Sequence, residues 1–298
     1  MSRAAVLTAL VLAGCSGAQV DGECGAVRCG EGRVCDLTDP AGPTCIDADG
    51  DLDGDGIPNN RDFCEHQPGG AFDEDRDGIG DDCDPCPIAP PAADPDPDGD
   101  AVDAPCDPDP ATPGDTIAVF EGFNGAAIPA NWRASSASWQ VVGGAAVVTP
   151  TDPTVVEQLV APLPTLTTRL AVLTGYRVDA VDATATQNIA GVIAIDRRPA
   201  GTSTVGCTGR RAGTTNVLVV DTDLGTDQRP FMTDLFASAS LYELANKIEG
   251  AQAACAMVAD NEAGAVSTAS AGEAPSEAGL QARGATVRFG YLLVVQRP

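Results

Sequence analysis

Aspartates at alternate positions are the residues of this sequence best suited to chemistry. They lie in three segments, 51–57, 73–81 and 96–100, within a stretch that runs from residue 47 to residue 109. This stretch carries 21 Asp and Glu against two Arg, and so holds most of the net charge of −26. So many carboxylates repel one another unless cations neutralise them, and alternate Asp followed by Gly wraps oxygen ligands around Ca²⁺. The sequence therefore predicts Ca²⁺ as a bound cofactor.

The three segments fit one fourteen-residue frame, with Asp at positions 1, 3, 5, 9 and 12, Gly at 6 and Cys at 14. Position 7 is expected to offer its backbone carbonyl to the ion. The predicted metal ligands are Asp51, Asp53, Asp55, Ile57, Asn59 and Asp62 in the first repeat, Asp73, Asp75, Asp77, Ile79, Asp81 and Asp84 in the second, and Asp96, Asp98, Asp100 and Asp107 in the third. The third repeat is degenerate, because Ala101 replaces Gly and Ala104 replaces a ligand. We expect it to bind more weakly, or to use water or Asp103 instead.

The frame resembles the thrombospondin type 3 repeat, Asp-x-Asp-x-Asp-Gly-x-x-Asp-x-x-Asp-x-Cys. In this register each disulfide joins position 14 of one repeat to position 11 of the next, which gives Cys64–Cys83 and Cys86–Cys106. The resemblance implies a braced, calcium-loaded rod over residues 47–109, in which ions and disulfides replace a hydrophobic core. The alternative is a disordered acidic spacer, as blocks of like charge often are.

The first residues predict export. Residues 4–12 form a short apolar run after Arg3, and Leu-Ala-Gly-Cys15 resembles the lipobox of bacterial lipoproteins. The resemblance implies a signal peptide at 1–14, a lipid on Cys15, a tether at 15–23 and a lipid-anchored, extracytoplasmic place in the cell envelope, with the membrane as partner. The alternative is an ordinary secretory signal with an incidental Cys.

Residues 24–45 form a small module with four cysteines. A segment this short has no room for a core and must be stapled. Four Cys allow three connectivities, and resemblance to truncated EGF-like modules favours Cys24–Cys35 with Cys29–Cys45. The alternative is a four-Cys zinc site, whose usual pairs of Cys are more closely spaced.

After a Pro-rich linker at 110–115, residues 116–298 are the one region able to bury a sizeable core. Val-, Ile-, Leu- and Thr-rich runs between Gly, Pro, Asn and Asp clusters predict a mostly β fold. The predicted strands are 137–142, 145–149, 155–160, 169–181, 189–195, 216–220, 255–258 and 285–295. Phe120–Asn124, Ile128–Trp132 and 139–144 resemble the opening of concanavalin A-like jelly rolls, and 278–295 resembles their closing strands. The resemblance implies a jelly-roll β-sandwich with a Cys207–Cys255 disulfide between neighbouring strands. It also implies a strand at 241–248, where the apolar spacing is helical.

Little in the sandwich predicts catalysis. His66, which we expect to be a solvated loop residue, is the single His of the chain and lies in the acidic stretch. This excludes Ser-His-Asp catalysis from residues 116–298. The Glu-x-Asp-x-x-Glu string of jelly-roll glycoside hydrolases does not occur. We interpret residues 221–227 as a turn rather than an extra Ca²⁺ site, and Trp132 and Trp139 as core.

The acidic balance argues against nucleic acid as a partner. The hypothesis that follows is a non-enzymatic, calcium-binding surface lipoprotein whose sandwich recognises a glycan or protein in an adhesion or matrix role. The alternatives are a secreted carbohydrate-active enzyme and an inert envelope spacer.

Overall fold

The computed structural model describes residues 23–24, 26–93, 95–198, 201–238 and 240–297. The predicted signal peptide, Cys15 and nearly all of the tether lie outside them. The chain divides into two compact units, Met1–Asp84 and Pro85–Pro298. Among the described residues, no helix is long and apolar enough to cross a membrane.

The N-terminal unit contains two short hairpins followed by loops. Its strands are β1 (Glu23–Cys24), β2 (Val27–Arg28), β3 (Arg33–Asp36) and β4 (Thr44–Asp47). β1 pairs with β2 and β3 with β4, both antiparallel. Disulfides Cys24–Cys35, Cys29–Cys45 and Cys64–Cys83 brace the unit in the expected pairings. Because its buried apolar side chains are few, these cross-links constrain loops that no core would hold.

The C-terminal unit is built from two antiparallel sheets. Its strands are β5 (Thr116–Glu121), β6 (Arg133–Ala134), β7 (Trp139–Val141), β8 (Ala146–Val148), β9 (Glu157–Pro162), β10 (Arg169–Val181), β11 (Asn188–Arg198), β12 (Gly201–Ala212), β13 (Thr215–Thr222), β14 (Gly225–Phe231), β15 (Tyr242–Glu249), β16 (Gln252–Ala259), β17 (Glu262–Ala269), β18 (Glu277–Arg283), β19 (Ala285–Phe289) and β20 (Leu292–Gln296). One sheet has the order β17-β16-β15-β10-β19-β8-β7, and β20 joins β10 to β5 at its side. The other has the order β14-β13-β12-β11-β18-β9-β6. This arrangement is the predicted jelly-roll sandwich.

The core lies between these sheets. Alternate residues of each strand face inward, as period-two side-chain geometry requires, so Ala190, Val192 and Ala194 of β11 are fully buried. They join Val172 of β10 and many other aliphatic side chains in one cluster. Trp139 is 4% exposed and Trp132 packs against the same cluster, which confirms their predicted core role.

The Cys207–Cys255 disulfide forms as expected, but the predicted geometry was wrong. Cys207 lies on β12 of one sheet and Cys255 on β16 of the other, so the bond crosses the core instead of linking neighbours within a sheet. Both residues are fully buried. The disulfide therefore holds the two layers together.

The third repeat belongs to the sandwich unit. One buried cluster contains Cys86, Val102 and Cys106 of this region together with Leu293 and Val295 of β20. The 110–115 segment also departs from the expected spacer, because Asp115 is only 2% exposed and the Gly114 amide donates to Asp100 Oδ2. Hydrogen bonds from Gly114 and Asp115 to Asp100 thus fix the end of a segment whose composition predicted an extended linker.

Candidate metal-binding loops

The first Asp loop is closed by hydrogen bonds from its own backbone. The Gly54 amide donates to Asp51 Oδ1 (2.7 Å), and the Gly56 amide donates to Asp51 Oδ2 (3.1 Å). The amides of Asp55 and Ile57 donate to Oδ1 of Asp53 and Asp55 (3.1 and 2.7 Å). Each Asp thus accepts from an amide two to five residues ahead, which folds alternate carboxylates onto one side of a tight turn.

The other two loops repeat this pattern. Asp73 accepts from the amides of Arg76 and Gly78, and Asp96 from those of Gly99 and Ala101. At position 7 the amides of Ile79 and Val102 donate to the Asp two residues before. In every loop the carboxylates at positions 1, 3 and 5 bring one oxygen each within 4.8 Å of one another. The residue types at these positions therefore produce one geometry three times.

Several carboxylate oxygens in and beside these loops are buried with no protein partner. They are Asp53 Oδ2, Asp62 Oδ2, Asp75 Oδ2, Asp77 Oδ2, Asp98 Oδ1 and Oδ2, and Asp107 Oδ2. A buried charged oxygen without a partner is costly, so native proteins pair such atoms with donors or metals. Hard oxygen ligands clustered in flexible loops are the donor set that Ca²⁺ prefers, so the residues fit a bound Ca²⁺.

The electrostatics of the loops point the same way. Burial, with the charges of Asp77 and Asp73 beside it, raises the pKa of Asp75 to about 6. Burial also raises the pKa of Asp62, and the charges of Asp53, Asp55 and Asp51 add to the effect. Asp62 at position 12 therefore lies in the field of the first trio, as its assignment to that site requires. Protein groups alone do not neutralise these carboxylates, whereas a divalent cation would.

Position 9 has a structural role in addition to the predicted metal role. The side chain of Asn59 is 3% exposed; its Oδ1 accepts from the Leu52 amide and its Nδ2 donates to the Asp47 carbonyl. Asp81 Oδ1 accepts from the Glu74 amide in the same way (2.8 Å). Both side chains hold position 2 of their loop, and an oxygen lone pair remains on each for the predicted metal role. Asp84 at position 12 of the second repeat is buried.

The turn at position 6 is left-handed in all three loops. Gly56 has φ 97° and Gly78 has φ 96°, and Ala101 adopts φ 71° although it carries a side chain. The third loop therefore keeps the shape of the others despite the missing glycine, at the cost of a conformation that L-residues avoid.

We expect Ala101→Gly to stabilise the C-terminal unit by about 1 kcal/mol, because glycine removes this left-handed penalty. The matched variant Gly56→Ala should destabilise the N-terminal unit by about the same amount. No atom lies within 4 Å of a Cβ added at Gly56, so the effect there is of the backbone alone. Denaturant unfolding in saturating Ca²⁺ measures the change in stability of each variant. Equal unfolding midpoints for variant and wild type would contradict a left-handed backbone penalty at position 6.

His66 is an exposed loop residue, as expected, and it also has a buried partner. Its Nε2 lies 2.8 Å from Oδ2 of Asp36, which is fully buried and also accepts from the Thr38 amide. Thr38 Oγ1 donates to Glu65, whose pKa burial raises to about 7 with help from the charges of Asp36 and Asp62. Sequence reasoning missed this cluster because Asp36 and His66 are 30 residues apart.

Arginine side chains pair with several acids of the sandwich. Glu277 accepts from Arg133 and Arg197, and these contacts outweigh desolvation to lower its pKa. Residues 223–224 form a hairpin turn between β13 and β14, as predicted, and Asp221 pairs with Arg210. A carboxyl held charged by two guanidinium groups is unsuited to general-acid work near neutral pH.

Comparison with known proteins yields no family model and no curated relative that matches this chain. Solved structures match at low identity. They include a GH43 protein from Bacillus licheniformis (TM-score 0.42, 11% identity, 59% of this chain and 38% of that one) and lectin II from Ulex europaeus (TM-score 0.44, 9% identity, 60% and 98%). A CBM2 module of a Lactobacillus casei BL23 phage J-1 evolved Dit matches with TM-score 0.43 and 11% identity over 61% of this chain and 96% of that one. Likeness of this degree carries no statement about activity or ligands.

Proposed function

We propose that this protein is a non-enzymatic calcium-binding protein in which the Asp loops hold Ca²⁺ as a structural cofactor. The observation that carries the proposal is the set of buried, partnerless carboxylate oxygens in three loops of one hydrogen-bonding pattern. Ca²⁺ suits these loops better than Mg²⁺, which demands rigid octahedral geometry and keeps several of its waters.

Calorimetric titration of the full chain with Ca²⁺ tests the proposal. Asp75→Asn should abolish or weaken one binding event, because Asp75 Oδ2 is buried and partnerless in the second loop. The matched control is Asp179→Asn, which removes a carboxylate of the same charge from an Arg288 ion pair in the sandwich unit. A wild-type chain that takes up no Ca²⁺, or equal losses in both variants, would overturn the proposal.

The anchoring part of the proposal is that a lipid on Cys15 holds the protein at the envelope surface, as the lipobox-like tetrapeptide implies. Five disulfides among the described residues are consistent with an oxidising, extracytoplasmic location. Expression with a labelled fatty acid tests this, since wild type should incorporate the label and Cys15→Ala should not. Equal labelling of the two would contradict it.

For the sandwich we propose recognition of a glycan or protein, in an adhesion or matrix role. Support comes from the jelly-roll architecture and from the engagement of Glu277 by two arginines, which leaves this carboxylate unsuited to acid catalysis. A glycan array probed with the calcium-loaded chain tests the glycan branch, and turnover of a β-glucan would contradict the non-enzymatic role.

A further inference from the structure

The third loop has lost two residues of the frame, yet it holds more partnerless carboxylate oxygens than either of the others. Both carboxylate oxygens of Asp98 are buried without a partner. Asp107 at position 12 is 7% exposed, and its Oδ2 also has no hydrogen-bond donor. These buried carboxylate oxygens of Asp98 and Asp107 could bind a cation without further rearrangement.

A further carboxylate, outside the repeat, lies beside them. Asp115 is 2% exposed and directly precedes β5. Its amide donates to Asp100 Oδ2 (2.7 Å), and its side chain lies within hydrogen-bonding reach of that of Asp107. Two charged carboxylates repel each other at this approach, and Arg297, which contacts Asp115, brings a single positive charge to the pair.

Asp115 stands at a place in the third loop that a glycine occupies in the first. The Gly69 amide donates to Asp55 Oδ2, and the Gly114 amide donates to Asp100 Oδ2, both at 2.9 Å. Gly69 and Gly114 thus occupy equivalent places, eighteen residues after the first Asp of their loops. The next residue is Gly70 in the first loop and Asp115 in the third.

The first loop differs from the third at this place. A Cβ added to Gly70 would stand 2.5 Å from Asp62 Oδ1. The first loop therefore has no room for a ligand here, while the third uses the same place for a carboxylate. This gain compensates for Ala104, which stands where position 9 would bring a side-chain oxygen.

We infer that Asp115 is a cation ligand of the third loop, which completes a Ca²⁺ site with Asp98, Asp100 and Asp107. The inference rests on the proposed calcium binding and adds a ligand that no repeat contains. Arg297 contacts Asp115 and also Asp109 (3.1 Å), so the site is tied to the residue that follows β20. Calcium at this site thus binds the third repeat to the edge of the sandwich.

Equilibrium dialysis of the full chain against Ca²⁺ tests the inference through Asp115→Asn. This variant should bind one Ca²⁺ fewer than wild type. The matched control is Asp109→Asn, which removes the other carboxylate partner of Arg297 but should keep the full complement. Near-ultraviolet circular dichroism shows whether each variant keeps its tertiary fold, and Asp98→Asn should lose the same ion without touching the Arg297 pairs.

The outcomes separate the two proposals. A wild-type chain that binds no Ca²⁺ overturns the proposed function itself. A wild-type chain that binds Ca²⁺, with Asp115→Asn retaining the full number at unchanged affinity, overturns only the role of Asp115. Loss of one ion in Asp109→Asn as well would assign the effect to the Arg297 ion pairs and also overturn it.

Discussion

Chelation of calcium is expected to unfold the N-terminal unit, Met1–Asp84, at temperatures where the calcium-loaded unit is folded. This unit contains two Asp loops but few buried apolar side chains, so ions and disulfides supply what burial cannot. At a free Ca²⁺ concentration 100 times Kd, each bound ion contributes about 2.7 kcal/mol. Two such ions contribute about 5 kcal/mol, which is comparable to the whole stability of a small domain.

Thermal unfolding followed by circular dichroism measures this effect. A chelator should lower the first transition by tens of degrees or abolish it, and excess Ca²⁺ should restore it. Mg²⁺ at the same concentration is the control and should restore little, because the loops do not impose octahedral geometry. Identical melting curves with and without chelator would contradict the prediction.

Removal of the Cys207–Cys255 disulfide is expected to destabilise the sandwich by about 4 kcal/mol. The bond closes a loop of sequence separation 48 and crosses the core between β12 and β16. Its loss frees the unfolded chain and also removes the disulfide cross-link between the two layers. The effect should fall on the C-terminal unit and leave the calcium-dependent transition in place.

The double variant Cys207→Ala/Cys255→Ala tests this by denaturant unfolding in saturating Ca²⁺. The control is Cys24→Ala/Cys35→Ala, which removes a disulfide of separation 11 from the other unit and should leave the sandwich transition unchanged. If the unfolding midpoint of the sandwich does not shift in Cys207→Ala/Cys255→Ala, the disulfide does not stabilise the sandwich.

Strand prediction succeeded where apolar residues are dense. β10 has the predicted bounds, Arg169–Val181, because its β-branched and aliphatic residues face a core. The strand at β15 also formed despite helical spacing, since pairing with β10 and β16 decided between the two periods. Tertiary context outweighs local pattern in such ambiguous runs.

Several strands went unpredicted, including β12, β14 and β17. These three carry many Gly, Thr, Ala and charged residues in place of apolar runs. β14 and β17 form edges of the two sheets, and the first six residues of β14 are exposed. Their positions come from hydrogen bonding to an already formed neighbour, which leaves little trace in hydrophobicity.

By itself, the sequence determined the Asp loops, because their contacts are local. Asp51 meets amides three and five residues ahead, so residue types alone specify the turn, and the cysteine register specifies the braces around it. Only the tertiary structure decided the partners that lie far apart along the chain. Asp115 meets Arg297 across 182 residues, and the predicted Cys207–Cys255 bond joins the two sheets instead of neighbouring strands of one sheet. Such pairs depend on how whole sheets stack, and no local spacing encodes that geometry.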